Sequence, residues 1–247
     1  MRFDNIDYAE ADGIAEITLR RPEKKNALTG QMFRDLRASF DAFAAGAARV
    51  AILRSCLDDV FCAGADLNDP PEYFWQGVPE LGFRCDKPII AALSGKVIGA
   101  GVVLTQMCDL VVMSEDCQLI YPEARVGVAK GAVSVLARRM PLRLALEMMV
   151  TGDPLTAQRA YAVGLANRLA PNGQHLAEAR ALAATIAANA PLVVEMLKRM
   201  TLDAIGDAPM QGQYRLMAQV DRVMDSQDAA DALEAFKARR KPVFHGR

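Results

Sequence analysis

The chain has 247 residues, 52% of them hydrophobic and 24% charged, and a formal net charge of -1. This composition describes a globular protein with enough chain for one sizeable core, or one core with an appendage. Near-neutral charge argues against a nucleic-acid binder, whose domain would be strongly basic.

In chain order, the charged N-terminus MRFDNIDYAEADG lacks a signal-peptide core. No uninterrupted apolar run approaches the roughly 20 residues of a membrane span. Residues 3–8 and 13–20 form a predicted hairpin around Ala11-Asp12-Gly13, with Ile14, Glu16 and Thr18 alternating against Ala15, Ile17 and Leu19. Arg21-Pro22 ends it, and the polar loop RPEKKNALT leads to Thr29, the predicted N-cap of a helix over residues 30–45. Phe33, Leu36, Phe40 and Phe43 form its apolar stripe, and Gly46 closes it. Strands follow at 49–55 and 60–62, then the small residues of Ala63-Gly64-Ala65-Asp66-Leu67. Asp69-Pro70-Pro71 breaks the chain, and the aromatic, polar stretch 72–84 reads either as a helix or as a short mobile segment that contacts ligand.

Residues 87–127, KPIIAALSGKVIGAGVVLTQMCDLVVMSEDCQLIYPEARVG, organise the rest. The order Gly95-x-x-x-Gly99-x-Gly101 reverses the dinucleotide fingerprint, which disfavours Rossmann-type phosphate binding. Glycine also lets an apolar strand turn sharply into a helix whose first amides stay unpaired. Such amides bind an anion or a developing negative charge, although close helix packing is an alternative use for the same glycines. A buried run over 109–113 follows, and Glu123 comes directly after Tyr121-Pro122. The layout is that of a site made from main-chain amides plus one base, with an ordinary turn residue as the alternative for Glu123.

Beyond this stretch the spacing predicts helices over 131–140, 142–150 and 156–163, a small strand over 165–169, and then helices to the end of the chain. Strand-helix alternation followed by a helical tail predicts an α/β core, residues 1–190, and a helical C-terminal region, residues 191–247. Met196, Met200, Met210, Met217 and Met224 of the tail fill core or pack against other subunits. The two histidines, His175 and His245, lack ligand spacing, which disfavours a metal site and a Ser-His-Asp or Cys-His machine. Cys62, Cys85, Cys108 and Cys117 lie in apolar runs, Cys56 less clearly so. Free thiols in a reducing, cytoplasmic compartment are the expectation.

Over nearly its whole length the chain resembles the crotonase superfamily, the enoyl-CoA hydratase/isomerase group. RPEKKNALT is similar to the family's early CoA-contacting loop, FCAGADL to its first oxyanion segment and GKVIGAGVVLTQMCDLVV to its second. YPEARVGV resembles the strand carrying the catalytic acid, TGDPLTAQRAYAVGLANRL the segment before the helical tail, and FKARRKPVFHGR the C-terminal ending. The resemblance implies a crotonase-like ββα spiral core with a C-terminal helical trimerisation region, assembled as a homotrimer or a dimer of trimers.

It also implies an acyl-CoA thioester substrate, with coenzyme A as part of the substrate and no separate cofactor, metal, nucleic acid or membrane. The thioester oxygen would lie between the amides of Ala65 and Ala100, which would stabilise an enolate; position 100 is usually glycine in the family. Backbone donors of this kind are worth about 3 kcal/mol each. Glu123 matches one of the two glutamates that hydratases use to activate water, and Val103 stands where the other would be. One remaining carboxylate resembles the isomerases that convert 3-enoyl to 2-enoyl-CoA, so Glu123 would take the α-proton and return it at the γ carbon. A hydratase or dehydratase, and a non-catalytic acyl-CoA-binding protein, are the alternatives. The expected CoA-binding residues are Lys24, Asn26, Ala27, Leu28, Ala63, Asp66, Leu67, Phe236 and Lys237, with Lys25, Arg239, Arg240 and Lys241 as further cations for the phosphates. Asn68 departs from a position that is often lysine, and Lys96 and Lys130 are solvated or, if turned inward, meet an acyl carboxylate or act as another proton donor.

Overall fold

The computed structural model describes residues 3–127 and 131–246, without the side chains of residues 131–134, 209, 233 and 236. Strands β1 (Ile6–Ala11) and β2 (Ile14–Leu19) pair antiparallel. Asp12 and Gly13 between them both take positive φ, the geometry a two-residue hairpin loop requires. Helix α1 (Gly30–Ala45) begins where predicted, with the Thr29 hydroxyl accepting from the Met32 amide at 3.2 Å, and ends at Gly46. Its stripe of Phe33, Leu36, Phe40 and Phe43 is fully buried.

From there the chain repeats one unit. Strands β3 (Val50–Ser55) and β4 (Val60–Cys62) are followed by β5 (Ile89–Leu93), β6 (Lys96–Ile98) and α2 (Ala100–Gln106). Next come β7 (Leu110–Ser114), β8 (Gln118–Ile120) and the single turn α3 (Glu123–Val126). After α4 (Leu142–Thr151), β9 (Leu155–Thr156) and α5 (Ala157–Ala162), strand β10 (Arg168–Ala170) ends the strand-bearing part. The first strand of each pair enters a six-stranded sheet of order β1-β2-β3-β5-β7-β10, and the second enters a four-stranded sheet of order β4-β6-β8-β9. Each turn of the chain therefore advances both sheets by one strand, which is the predicted ββα spiral. β4, β6 and β8 are parallel neighbours, so the segments leaving them emerge side by side, about 4.8 Å apart.

The larger sheet is covered on both faces, which explains why β5 reads as unbroken apolar sequence rather than alternation. Ala51, Leu53, Ala91, Leu93 and Met113 join the main core with α1 and α2. Val50, Ile52, Ile90, Ala92 and Val112 face Ala179 and Ala183 of α6 (His175–Ala187).

The tail continues as α7 (Pro191–Ile205), α8 (Pro209–Met224) and α9 (Gln227–Lys237). It is fastened to the core by charge. Lys198 reaches Asp109 at 2.7 Å and the Lys87 carbonyl at 3.0 Å, and Arg199 bonds Glu80 at 3.1 Å and Asp86 at 2.8 Å. Burial pushes the Asp109 carboxyl above its ordinary pKa, against the pull of Lys198. No single helix among the described residues is long and apolar enough to cross a membrane, although α6 and α7 pass together by length and composition, bent by 108°.

Two segments differ from expectation. Residues 131–138 form a 3-10 helix, and the stretch 72–84 is a packed 3-10 turn at Phe74–Gly77. Trp75 is 1% exposed and stacks on Tyr214 of α8 at 5.4 Å between ring centres. A Cβ on Gly77 would come within 2.4 Å of the Phe33 carbonyl, so the turn is pressed onto α1. Phe74, Trp75 and Phe83 of the stretch are buried, whereas Tyr73 is 42% exposed.

Candidate functional site

The segments leaving β4, β6 and β8 are 63–67, 99–101 and 121–123, and they converge. The Leu28 amide bonds the Gly64 carbonyl at 2.8 Å and the Asp66 amide bonds the Leu28 carbonyl at 2.9 Å. In a parallel bridge both bonds go to the neighbours of the facing residue. The N–H of Ala65 is left over, and it has no hydrogen-bond partner among the described residues. Gly64, at φ +97°, presses on the next segment: a Cβ there would lie 3.3 Å from the Ile98 carbonyl.

Gly99 makes the second turn at φ +51°, a conformation that side chains rarely adopt. Its amide bonds the Ile120 carbonyl at 2.9 Å, which ties the second segment to the third. The amides of Val102 and Val103 bond the Gly99 carbonyl, while Ala100, the first residue of α2, has no amide partner among the described residues and no side chain caps the helix. Both Ala65 and Ala100 are half-buried.

Glu123 opens α3 beside them. A Cβ added at Gly99 would sit 3.2 Å from its Oε1. Its Oε2 is sealed from solvent with no hydrogen-bond partner among the described residues. Burial raises the carboxyl pKa, opposed by its own backbone amide and by a hydrogen bond from Tyr121. Two unpaired peptide N–H groups and one half-buried carboxylate with a bare oxygen thus gather at one end of three parallel strands.

Lower layers hold this geometry. Asn26 is fully buried at φ +52°, and its side chain is spent on the Arg21 amide, the Ser55 hydroxyl and the Phe61 carbonyl. Asp66 pairs with Arg21 at 2.6 Å, and this guanidinium, which also bonds the Ala27 carbonyl, holds the Asp66 carboxyl below its usual pKa. The Cys62 thiol, pushed up to about 12 by burial, donates to the Asn26 carbonyl at 3.2 Å and is protonated packing rather than a nucleophile. Gly101 lies close against it: a Cβ would meet Cys62 Cβ at 3.0 Å, tighter than side chains ordinarily pack.

Of the other residues singled out in the sequence, Leu28 is buried, Ala27 and Ala63 are half-buried, and Lys24 and Lys25 are exposed beside them. Leu67 is 82% exposed. Val103 is 3% exposed and belongs to the main core. Lys96 is exposed, as are Asn68, Arg239, Arg240 and Lys241. Lys237 is exposed and pairs with Glu234 at 2.9 Å, on a helix that packs against α8. Lys130 and the Phe236 side chain lie outside the described residues. Arg21 and Tyr121 carried no role in the sequence reading. Arg21 finds its partner 45 residues away, a separation that no local pattern reveals.

A sequence model described as enoyl-CoA hydratase/isomerase matches residues 9–247. The chain belongs to this family. Carnitinyl-CoA dehydratase of Proteus mirabilis is 33% identical, with 95% of each chain aligned. The crystal structure of an enoyl-CoA hydratase from Mycobacterium tuberculosis H37Rv is 33% identical, covers 98% of this chain and 99% of its own, and superposes with a TM-score of 0.75. A carnitinyl-CoA hydratase from Mycobacterium avium covers both chains completely at 28% identity and TM-score 0.77. The enoyl-CoA hydratase/isomerase fold therefore extends over the whole chain, tail included.

Proposed function

We propose that this member of the family binds an acyl-CoA thioester, stabilises its enolate with the Ala65 and Ala100 amides, and moves one proton with Glu123, most like a 3-enoyl to 2-enoyl-CoA isomerase. The observation that carries the reading is a half-buried carboxylate with a bare oxygen beside two peptide donors, all three without partners among the described residues. Glu123 would remove the proton on the α carbon, and the electron pair would move into the thioester carbonyl, whose oxygen the two amides hold. As the dienolate collapses, the double bond shifts from the 3 to the 2 position and Glu123 returns the proton at the γ carbon. One base suffices because the proton leaves and returns on the same face. Burial that raises its pKa favours the neutral acid formed halfway.

CoA would enter as part of the substrate, with no separate cofactor or metal in the step. It would lie along Lys24, Asn26, Ala27, Leu28, Ala63, Asp66 and Leu67. Asn26 would act by shaping the loop, since its polar atoms are already bonded. Lys237 and Phe236 would come from a neighbouring subunit of a homotrimer or dimer of trimers in the cytoplasm.

A second reading, hydration of 2-enoyl-CoA or the reverse dehydration, is favoured by relatives named as hydratases and dehydratases. Incubating the protein with 3-enoyl-CoA and with 2-enoyl-CoA separates the two. Isomerisation without hydration supports the first reading, and robust hydration of the 2-enoyl substrate rejects it. Loss of both activities together with α-proton exchange would leave a binding protein.

A further inference from the structure

Arg21 stands behind the first of the two donors, at one remove from it. The loop that follows curls back through the 3-10 turn Pro22–Lys24, and Lys25 and Asn26 both take positive φ, at 49° and 52°. That return sets the Ala27 carbonyl on the Arg21 guanidinium, whose Nη1 donates to it at 2.9 Å. The carbonyl of Ala27 and the N–H of Leu28 are the two ends of one planar trans peptide and point in opposite directions. The Leu28 amide donates in turn to the Gly64 carbonyl at 2.8 Å, and the other end of that peptide is the Ala65 N–H. A cation and two peptide groups therefore stand in series, head to tail, behind one unpaired donor.

On the reading of the Ala65 amide as an oxyanion donor, we propose that Arg21 is its positioning residue. The charge polarises the Ala27–Leu28 peptide, that peptide polarises the Gly64–Ala65 peptide, and the Ala65 N–H is both aimed and strengthened. Each hydrogen bond in such a chain reinforces the next, more so where water is excluded. Leu28 is fully buried, and the Arg21 side chain is only 17% exposed. A bond given by a guanidinium is also stronger than one given by a neutral group. The second donor is served differently: the Gly99 carbonyl, which shares its peptide with the Ala100 N–H, accepts from the amides of Val102 at 2.9 Å and Val103 at 3.3 Å. Asp66 accepts from the same Nη1 at 2.6 Å, so it holds the guanidinium in place and offsets part of its charge. Glu23 lies 3.8 Å from Nε and is exposed to solvent.

The test reads the thioester carbonyl itself, by infrared difference spectroscopy of butanoyl-CoA isotopically labelled at that carbon and bound to wild type, Arg21→Met, Arg21→Lys and Asp66→Asn. Binding in the hole should lower the carbonyl stretch of the wild-type complex. Arg21→Met should give back part of that shift and reduce turnover of the enoyl-CoA substrate about three- to tenfold, with little change in KM. Arg21→Lys, which keeps the charge, should recover most of both. Asp66→Asn removes the opposing charge and should lower the frequency further, which decides the assignment should Arg21→Met not fold. A wild-type shift that survives Arg21→Met, equal losses in the methionine and lysine variants, or a rise in Asp66→Asn overturns the role of Arg21 and leaves the hole in place. A wild-type frequency equal to that of the free thioester would instead overturn the hole, and the role of Arg21 with it.

Discussion

Burial raises the Glu123 carboxyl above its ordinary value of 4.5, and the sign of that shift sets its pH behaviour. The folded protein holds this proton more tightly than the unfolded chain, so Glu123 costs stability increasingly as pH rises from about 4.5 through the raised value. Glu123→Gln should therefore melt higher than wild type at pH 7–8, with the gap closing toward pH 4 in thermal scans. The same change should lower isomerisation or α-proton exchange by about 10²–10⁴-fold. The amides are tested by proline. Ala100 is the first residue of α2, where proline is tolerated and lacks only the N–H. Ala100→Pro should keep most of the melting temperature and lose about 10²-fold or more in turnover. Unchanged turnover in the folded variant would count against a hole at this position. Gly99→Ala meets two obstacles, the positive φ and the Glu123 carboxylate. A loss of about 1–3 kcal/mol in denaturant titrations is expected.

At the level of elements, legibility followed length and locality. The α1 stripe, the Thr29 cap and the glycine turn into α2 were readable because each signal lies within a few residues of its effect. Strands β6 and β8 have three residues each, too few for any period to show, and it is their pairing that brings Glu123 beside Gly99. The two amides and Glu123 could be proposed from the sequence through the family motif. The approach of Glu123 to Gly99 could not, because it depends on the pairing of β6 with β8. Nor could the clasp between α7 and the core, since Lys198 and Asp109 are 89 residues apart. Lys198→Met should strand a buried carboxylate and cost about 3 kcal/mol or more. Adding Asp109→Asn should recover part of that loss, and simple additivity in equilibrium unfolding would argue that the pair is not coupled.

For the whole molecule, the tail leaves Leu192, Val193, Met196, Leu197 and Met200 of α7 exposed by roughly half or more. Contiguous apolar surface of this kind marks contact sites, and it supports the proposed trimeric assembly. Leu197→Glu with Met200→Glu should reduce the mass measured by light scattering to that of one chain, while an unaltered oligomer would place the interface elsewhere. The Trp75–Tyr214 stack and the Gln76–Asp221 hydrogen bond hold α8 to its own core independently of that face.

The three side-by-side exits from the smaller sheet also bear on how such a protein can change. On the proposed reading, the amides at 65 and 100 would persist through almost any replacement there, whereas positions 103 and 123 present side chains from different turns of the spiral. On that reading, selection could exchange the proton-handling parts one at a time while the grip on a thioester was inherited intact.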